Sequence, residues 1–122
     1  MQQYGAAAYQ TTAKTVESPR EREAALLIKS AASLQSVRDN WPADSEVLKG
    51  ALTFNRKLWT IFMTSVTRDD NALPAMVRQN IANLGMYILN ETREILLDPV
   101  SPNRLDTLIN INRQLAQGLR AN

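Results

Sequence analysis

Apolar and polar residues recur with helical spacing in successive stretches of this chain, and the clearest stretch runs from about residue 45 to 67. At 100° per residue, Val47, Ala51, Phe54, Asn55, Leu58, Trp59, Ile61, Phe62 and Val66 share half of a helical wheel. Glu46, Lys49, Thr53, Arg56, Lys57, Thr60 and Arg68 take the other half. Both phenylalanines and one tryptophan lie on the apolar side. Aromatic side chains bury on the order of 150–250 Å² each, so the pattern places the core here. Asn55 breaks it, lying in the middle of the apolar arc.

Start and stop signals mark helices on either side. Ser18-Pro19-Arg20-Glu21 offers a capping serine and a proline whose missing N–H costs nothing in the first turn. The helix it opens is expected to run to about Asn40, with Ala24, Leu27, Ile28, Ala31, Ala32 and Leu34 on one face. Leu26 and Val37 are read on the opposite face. Such a helix is either sandwiched within its own fold, the favoured reading, or keeps one side for a partner.

Trp41-Pro42-Ala43-Asp44 predicts a turn, and Asp44 or Ser45 a cap for the central helix. After the polar run Arg68-Asp69-Asp70-Asn71, Leu73-Pro74 opens a third helix that buries Met76, Val77, Ile81, Leu84, Ile88 and Ile95. Gly85 within it, about 1 kcal/mol worse than Ala in a helix, implies close approach of a neighbouring helix. Ser101-Pro102 repeats the serine–proline start. Leu105, Leu108, Asn112, Leu115 and Leu119, spaced 3, 4, 3 and 4, then form a short seam. Residues 2–16, rich in Ala, Thr and Gln, predict only a short helix that is marginal unless docked. The expected fold is all-α: a mobile N-terminal segment (1–17) with a short helix, then a single-domain bundle of four main helices over 18–122.

Composition narrows the function. The 122 residues include no Cys and no His. That excludes thiolate and imidazole chemistry and Cys or His metal ligands. The carboxylates are dispersed, so no catalytic residues, metal or cofactor are expected, and the chain is read as not an enzyme. Fourteen basic and twelve acidic residues give +2 with no block of one sign. Neither basic helix face carries an aromatic, which disfavours a nucleic-acid site. No run approaches the ~18 apolar residues of a membrane span, and the N-terminus lacks a secretory pattern, so a cytoplasmic location is expected.

The remaining candidates are binding residues. Asn55 and Asn112 each read as a buried amide fixing helix register, with Asn55 alternatively receiving the backbone of a bound peptide. Trp59, near the edge of the arc, is either core or a binding anchor. Tyr9 lies where burial has little support. Together, Tyr9, Leu26, Val37, Asn55, Leu58 and Trp59 are the candidate partner-binding set.

Tyr9, Ser18-Pro19-Arg20-Glu21 with Glu23 and Leu27, Ala51-Leu52…Asn55…Leu58-Trp59, Leu73-Pro74…Arg78 and Leu84-Gly85, taken in this order and spacing, resemble the FlaF family of flagellar biosynthesis regulators. The resemblance spans roughly residues 4–97; the stretch after Pro102 matches less clearly. It implies a non-enzymatic protein that binds flagellin as a secretion chaperone and acts with FlbT. The physics agrees, since an amphipathic terminal helix of flagellin suits an apolar groove. Leu58 and Trp59, with Leu26 and Val37, are its expected walls, and the N-terminal segment that carries Tyr9 either clamps the bound helix or covers the groove when it is empty. Alternatives are a helical adaptor for FlbT and a regulator contacting flagellin mRNA through Lys49, Arg56 and Lys57 or through the arginines of the last helix, Arg104, Arg113 and Arg120. A monomer is favoured, although Asn112 could pair helices within one chain or between two.

Overall fold

In the computed structural model, residues 18–99 and 101–121 are described; the expected N-terminal helix and Tyr9 lie outside them. Four helices follow one another: α1 (Pro19–Asp39), α2 (Ser45–Val66), α3 (Ala75–Leu97) and α4 (Leu105–Arg120), the last entered through a 3-10 turn, Pro102–Arg104.

The caps are local. Ser18 Oγ accepts the N–H of Glu21 at 3.2 Å, and Asp44 Oδ1 accepts that of Glu46 at 2.8 Å, each satisfying a donor that the first turn leaves open. Helix α3 has no side-chain cap; Pro74 itself is the residue before it. Ser101 accepts from Asn103 at 3.3 Å, so the second serine–proline pair starts the 3-10 turn rather than α4 directly.

Side-chain pairs fix the directions. Glu21 meets Arg120 at 3.4 Å and Arg38 pairs with Asp106, which makes α1 and α4 antiparallel. A Cβ built on Gly85 would lie 2.5 Å from Cγ and Sδ of Met63, so α3 runs closely back along α2, as the glycine implied. The result is an up-down-up-down bundle whose closest pairings are α1 with α4 and α2 with α3. One apolar core draws on all four helices.

The buried arcs differ in phase from those the periodicity suggested. On α2 the core residues are Leu48, Ala51, Leu52, Leu58, Trp59, Phe62 and Val66, whereas Val47 and Ile61 are 57% and 64% exposed. At 100° per residue this arc is turned by roughly 40° from the expected one. Asn55 falls at its centre. On α1, Val37 belongs to the same buried stripe as Leu27, Ser30 and Leu34, spaced 3, 4 and 3, while Ile28 is exposed. Val37 therefore does not project from an opposite face. On α3, Met76 and Val77 are exposed at the helix start, and Ile81, Ile88 and Ile95 carry the packing.

Candidate functional site

Four polar side chains cross the middle of the core. The indole N–H of Trp59 donates to Asn112 Oδ1 at 2.9 Å. Asn112 Nδ2 donates to Asn55 Oδ1 at 2.7 Å, and the Ser30 hydroxyl donates to the same oxygen at 2.8 Å. An indole can only donate. It therefore fixes the Asn112 amide with its oxygen towards Trp59, and Asn112 in turn fixes Asn55. All four residues are fully buried. The relay ties α1, α2 and α4 in one register, and within it Asn55 Nδ2 is left without a partner, as are Arg78 Nε and Thr92 Oγ1 elsewhere among the described residues. Trp59 also meets Phe62 edge-on, with ring centroids 5.6 Å apart.

This geometry relocates most of the expected binding set. Val37, Asn55, Leu58 and Trp59 are core residues; Leu26, 40% exposed on α1, is the one described member at the surface. Trp59 was read near the edge of the arc because Val47, Phe54 and Ile61 pulled the estimated arc away from Leu48 and Leu52. Its indole N–H is spent inside the molecule, so Leu58 and Trp59 do not wall a groove.

An open cleft lies instead at one end of the bundle. Its cavity of about 700 Å³ is framed by the start of α1, the last turns of α2, the α2–α3 connection and the end of α4. Ile61, Phe62, Val66, Leu73, Ile81, Leu115 and Leu119 give it an apolar lining, and Arg20, Glu23, Arg68 and Asp70 supply charge. It also meets the residues at which the described chain begins, Ser18 and Pro19.

The α2–α3 connection is held in place by its own hydrogen bonds. Asn71 Oδ1 accepts the N–H of Leu73 at 2.9 Å while Nδ2 donates to the Ser65 carbonyl at 3.1 Å. Arg78 donates to the carbonyl oxygens of Arg68 at 3.2 Å and Val66 at 3.5 Å. A cation on the last carbonyls of α2 suits the negative end of that helix. Arg68 and Asp70 pair at 3.0 Å on the rim. Opposite them, burial raises the pKa of Glu23 above its ordinary value, an effect the nearby positive charges of Arg20 and Arg22 partly offset.

Leu73, Leu115 and Leu119 were visible in the chain as apolar residues at helix ends, but nothing in their spacing separated cleft lining from core. The Leu73-Pro74 signal did mark the connection. Among the described residues no cluster of three or more metal-ligating side chains occurs, and no helix is long and apolar enough to cross a membrane.

The family model described as flagellar protein FlaF matches residues 5–119. No curated protein gives a significant match, and neither does any solved structure.

Proposed function

The chain belongs to the FlaF family of flagellar proteins, and from that premise we propose that it is a non-enzymatic, cytoplasmic chaperone and regulator that binds flagellin through an amphipathic terminal helix. The observation that carries this reading is the end cleft, an apolar cavity of about 700 Å³ that the bundle's own helices leave open. A cleft of several hundred Å³ with apolar walls and a few charged groups at its mouth suits an inserted side-chain stripe. Ile61, 64% exposed beside it, would bury that surface only when an occupant arrives.

The chemistry of the occupant follows from the lining. An amphipathic helix presents residues at i, i+3, i+4 and i+7, an apolar stripe that such walls can receive. Flagellin's terminal helices pair only inside the filament, so a protein that covers one keeps it from associating early. This is also a role without a catalytic step.

The test mixes the purified full-length protein with flagellin from the same organism, with size-exclusion chromatography and calorimetry at low and high salt. A complex is expected that persists at high salt, because its apolar burial is not screened. Leu73→Asp and Ile61→Asp should each weaken it at least about tenfold, consistent with placing a charge in an apolar contact; Ile61→Asp, at an exposed position, should melt close to wild type, and Leu73→Asp, packed against the core, should stay helical by circular dichroism at the assay temperature. Unchanged affinity in both folded variants, or no complex at all, would overturn the reading. Binding to FlbT alone would favour the adaptor role.

A further inference from the structure

A second cavity, of about 590 Å³, lies along the outer seam of α2 and α3, lined by Arg56, Lys57, Thr60, Ile61, Leu89 and Arg93. Its floor is apolar and its walls are cationic, with no carboxylate in the lining. Neither Arg56 nor Lys57 makes an ion pair or side-chain hydrogen bond among the described residues. Arg93 has Asn90 at 2.9 Å and Glu94 at 3.6 Å, so its charge is partly met on its own helix. The Thr60 hydroxyl donates back to the Arg56 carbonyl at 2.8 Å.

Thr60 and Ile61 also line the end cleft. The two cavities therefore adjoin across one ridge of α2. From Arg56 to Val66 is about 15 Å along the helix at 1.5 Å per residue. One bound helix of three to four turns can span both, its apolar stripe in the cleft and its next turns over the cations.

We infer that Arg56, Lys57 and Arg93 form a charge-selecting subsite for the occupant of the cleft, which takes acidic side chains one to two turns from the apolar anchor. This rests on the cleft being the binding site. Charge complementarity argues for an acidic helix: two cations without partners flank an exposed isoleucine, and a carboxylate reaches them while its neighbours cover Ile61. An RNA backbone fits the charge but not the floor, because no aromatic side chain lines the groove for a base to stack on.

The test uses the full-length protein and synthetic, fluorescein-labelled 20-residue helical peptides, read by anisotropy at 50 and 300 mM NaCl. One peptide carries a leucine stripe with glutamates over its last two turns; the second replaces those glutamates with glutamine; a single-stranded RNA 20-mer is the third probe. The glutamate peptide is expected to bind about tenfold tighter than the glutamine peptide at 50 mM NaCl, with the gap narrowing at 300 mM, as for a charge pair at a rim. Arg56→Glu with Lys57→Glu, both exposed, should abolish that preference, whereas Leu73→Asp should weaken both peptides alike. Equal binding of both peptides, still sensitive to Leu73→Asp, overturns the subsite and leaves the cleft standing. Binding that ignores Leu73→Asp but depends on the cations counts against the cleft reading and against this proposal. No binding of either peptide overturns both. RNA binding that falls steeply with salt and is lost in the double variant overturns the acidic-helix assignment in favour of nucleic acid.

Discussion

Replacing Asn112 with alanine removes the centre of the buried relay, and its cost can be worked out atom by atom. Asn112 Oδ1 is the acceptor for Trp59 Nε1 and its Nδ2 is a donor to Asn55 Oδ1. In Asn112→Ala the indole N–H stays buried with nothing to accept it. Asn55 Oδ1 keeps the Ser30 hydroxyl. One orphaned donor costs about 1–3 kcal/mol. Truncating a fully buried side chain adds roughly 1–2 kcal/mol for the void it leaves. The sum, about 2–5 kcal/mol, is a large share of the 5–15 kcal/mol that holds a typical domain folded.

Ser30→Ala is the matched control. It removes a donor from an oxygen that keeps a second donor, so nothing is stranded and the loss should be about 0.5–1.5 kcal/mol. Trp59→Phe takes away the indole N–H and leaves Asn112 Oδ1 unsatisfied. Urea unfolding of both single variants and of the pair Trp59→Phe with Asn112→Ala closes a double-mutant cycle. Direct contact predicts a coupling of roughly 0.5–3 kcal/mol. A coupling indistinguishable from zero, or Ser30→Ala as damaging as Asn112→Ala, would refute the directional relay and reduce these residues to ordinary packing.

Two further outcomes follow from the same structure. Gly85→Ala should destabilise the wild type by about 1 kcal/mol, because a methyl forced against Met63 Cγ and Sδ outweighs the helix-propensity gain. In a Met63→Ala background the same change should stabilise, by up to roughly 1 kcal/mol in urea unfolding, and stabilisation in both backgrounds would show that the helices are not in close contact. Glu23, with a folded-state pKa above its ordinary 4.5 through burial, penalises the native state when ionised. The native state therefore takes up its proton first as pH falls, and the penalty disappears between the raised value and 4.5. Glu23→Gln should raise the melting temperature at pH 7 and lose that advantage by about pH 4; a gain independent of pH would show that ionisation is not the cause.

Helix boundaries and fold class were legible in the chain because their signals are local. A serine before a proline and an aspartate after a turn each act within one or two turns of where they stand. Ser18, Asp44 and Ser101 cap within the three residues that follow them. Gly85 was legible for a related reason: a missing side chain mid-helix has a cost that only a close neighbour offsets. The phase of each buried face was less legible. It depends on which two helices flank a third, and Val47, Ile61 and Met76 look as apolar in sequence as Leu48 and Leu52. Nothing in the hydropathy of Ile61 says that it faces outward.

The candidate site shows the same limit from the other side. Asn55 and Trp59 attracted a binding interpretation because a polar residue in an apolar arc and a tryptophan at its edge are what a recognition groove uses. A core that must hold three helices in one register uses the same residue types. Only pairing distinguishes the two uses, and here Trp59, Asn112, Asn55 and Ser30 hydrogen-bond one another across 53, 57 and 25 residues of sequence. That closure at mid-bundle also explains why the open surface lies at an end. Around the relay the helices cover one another's core-facing stripes. At the end framed by Ser18 and Asn71, the α2–α3 connection is held by Asn71 and Arg78 while Leu73, Leu115 and Leu119 line a space it does not fill. A locked middle and an unfilled end allow an occupant to be gained or lost without repacking the core, and binding at the cleft should therefore leave the relay's contribution to stability unchanged.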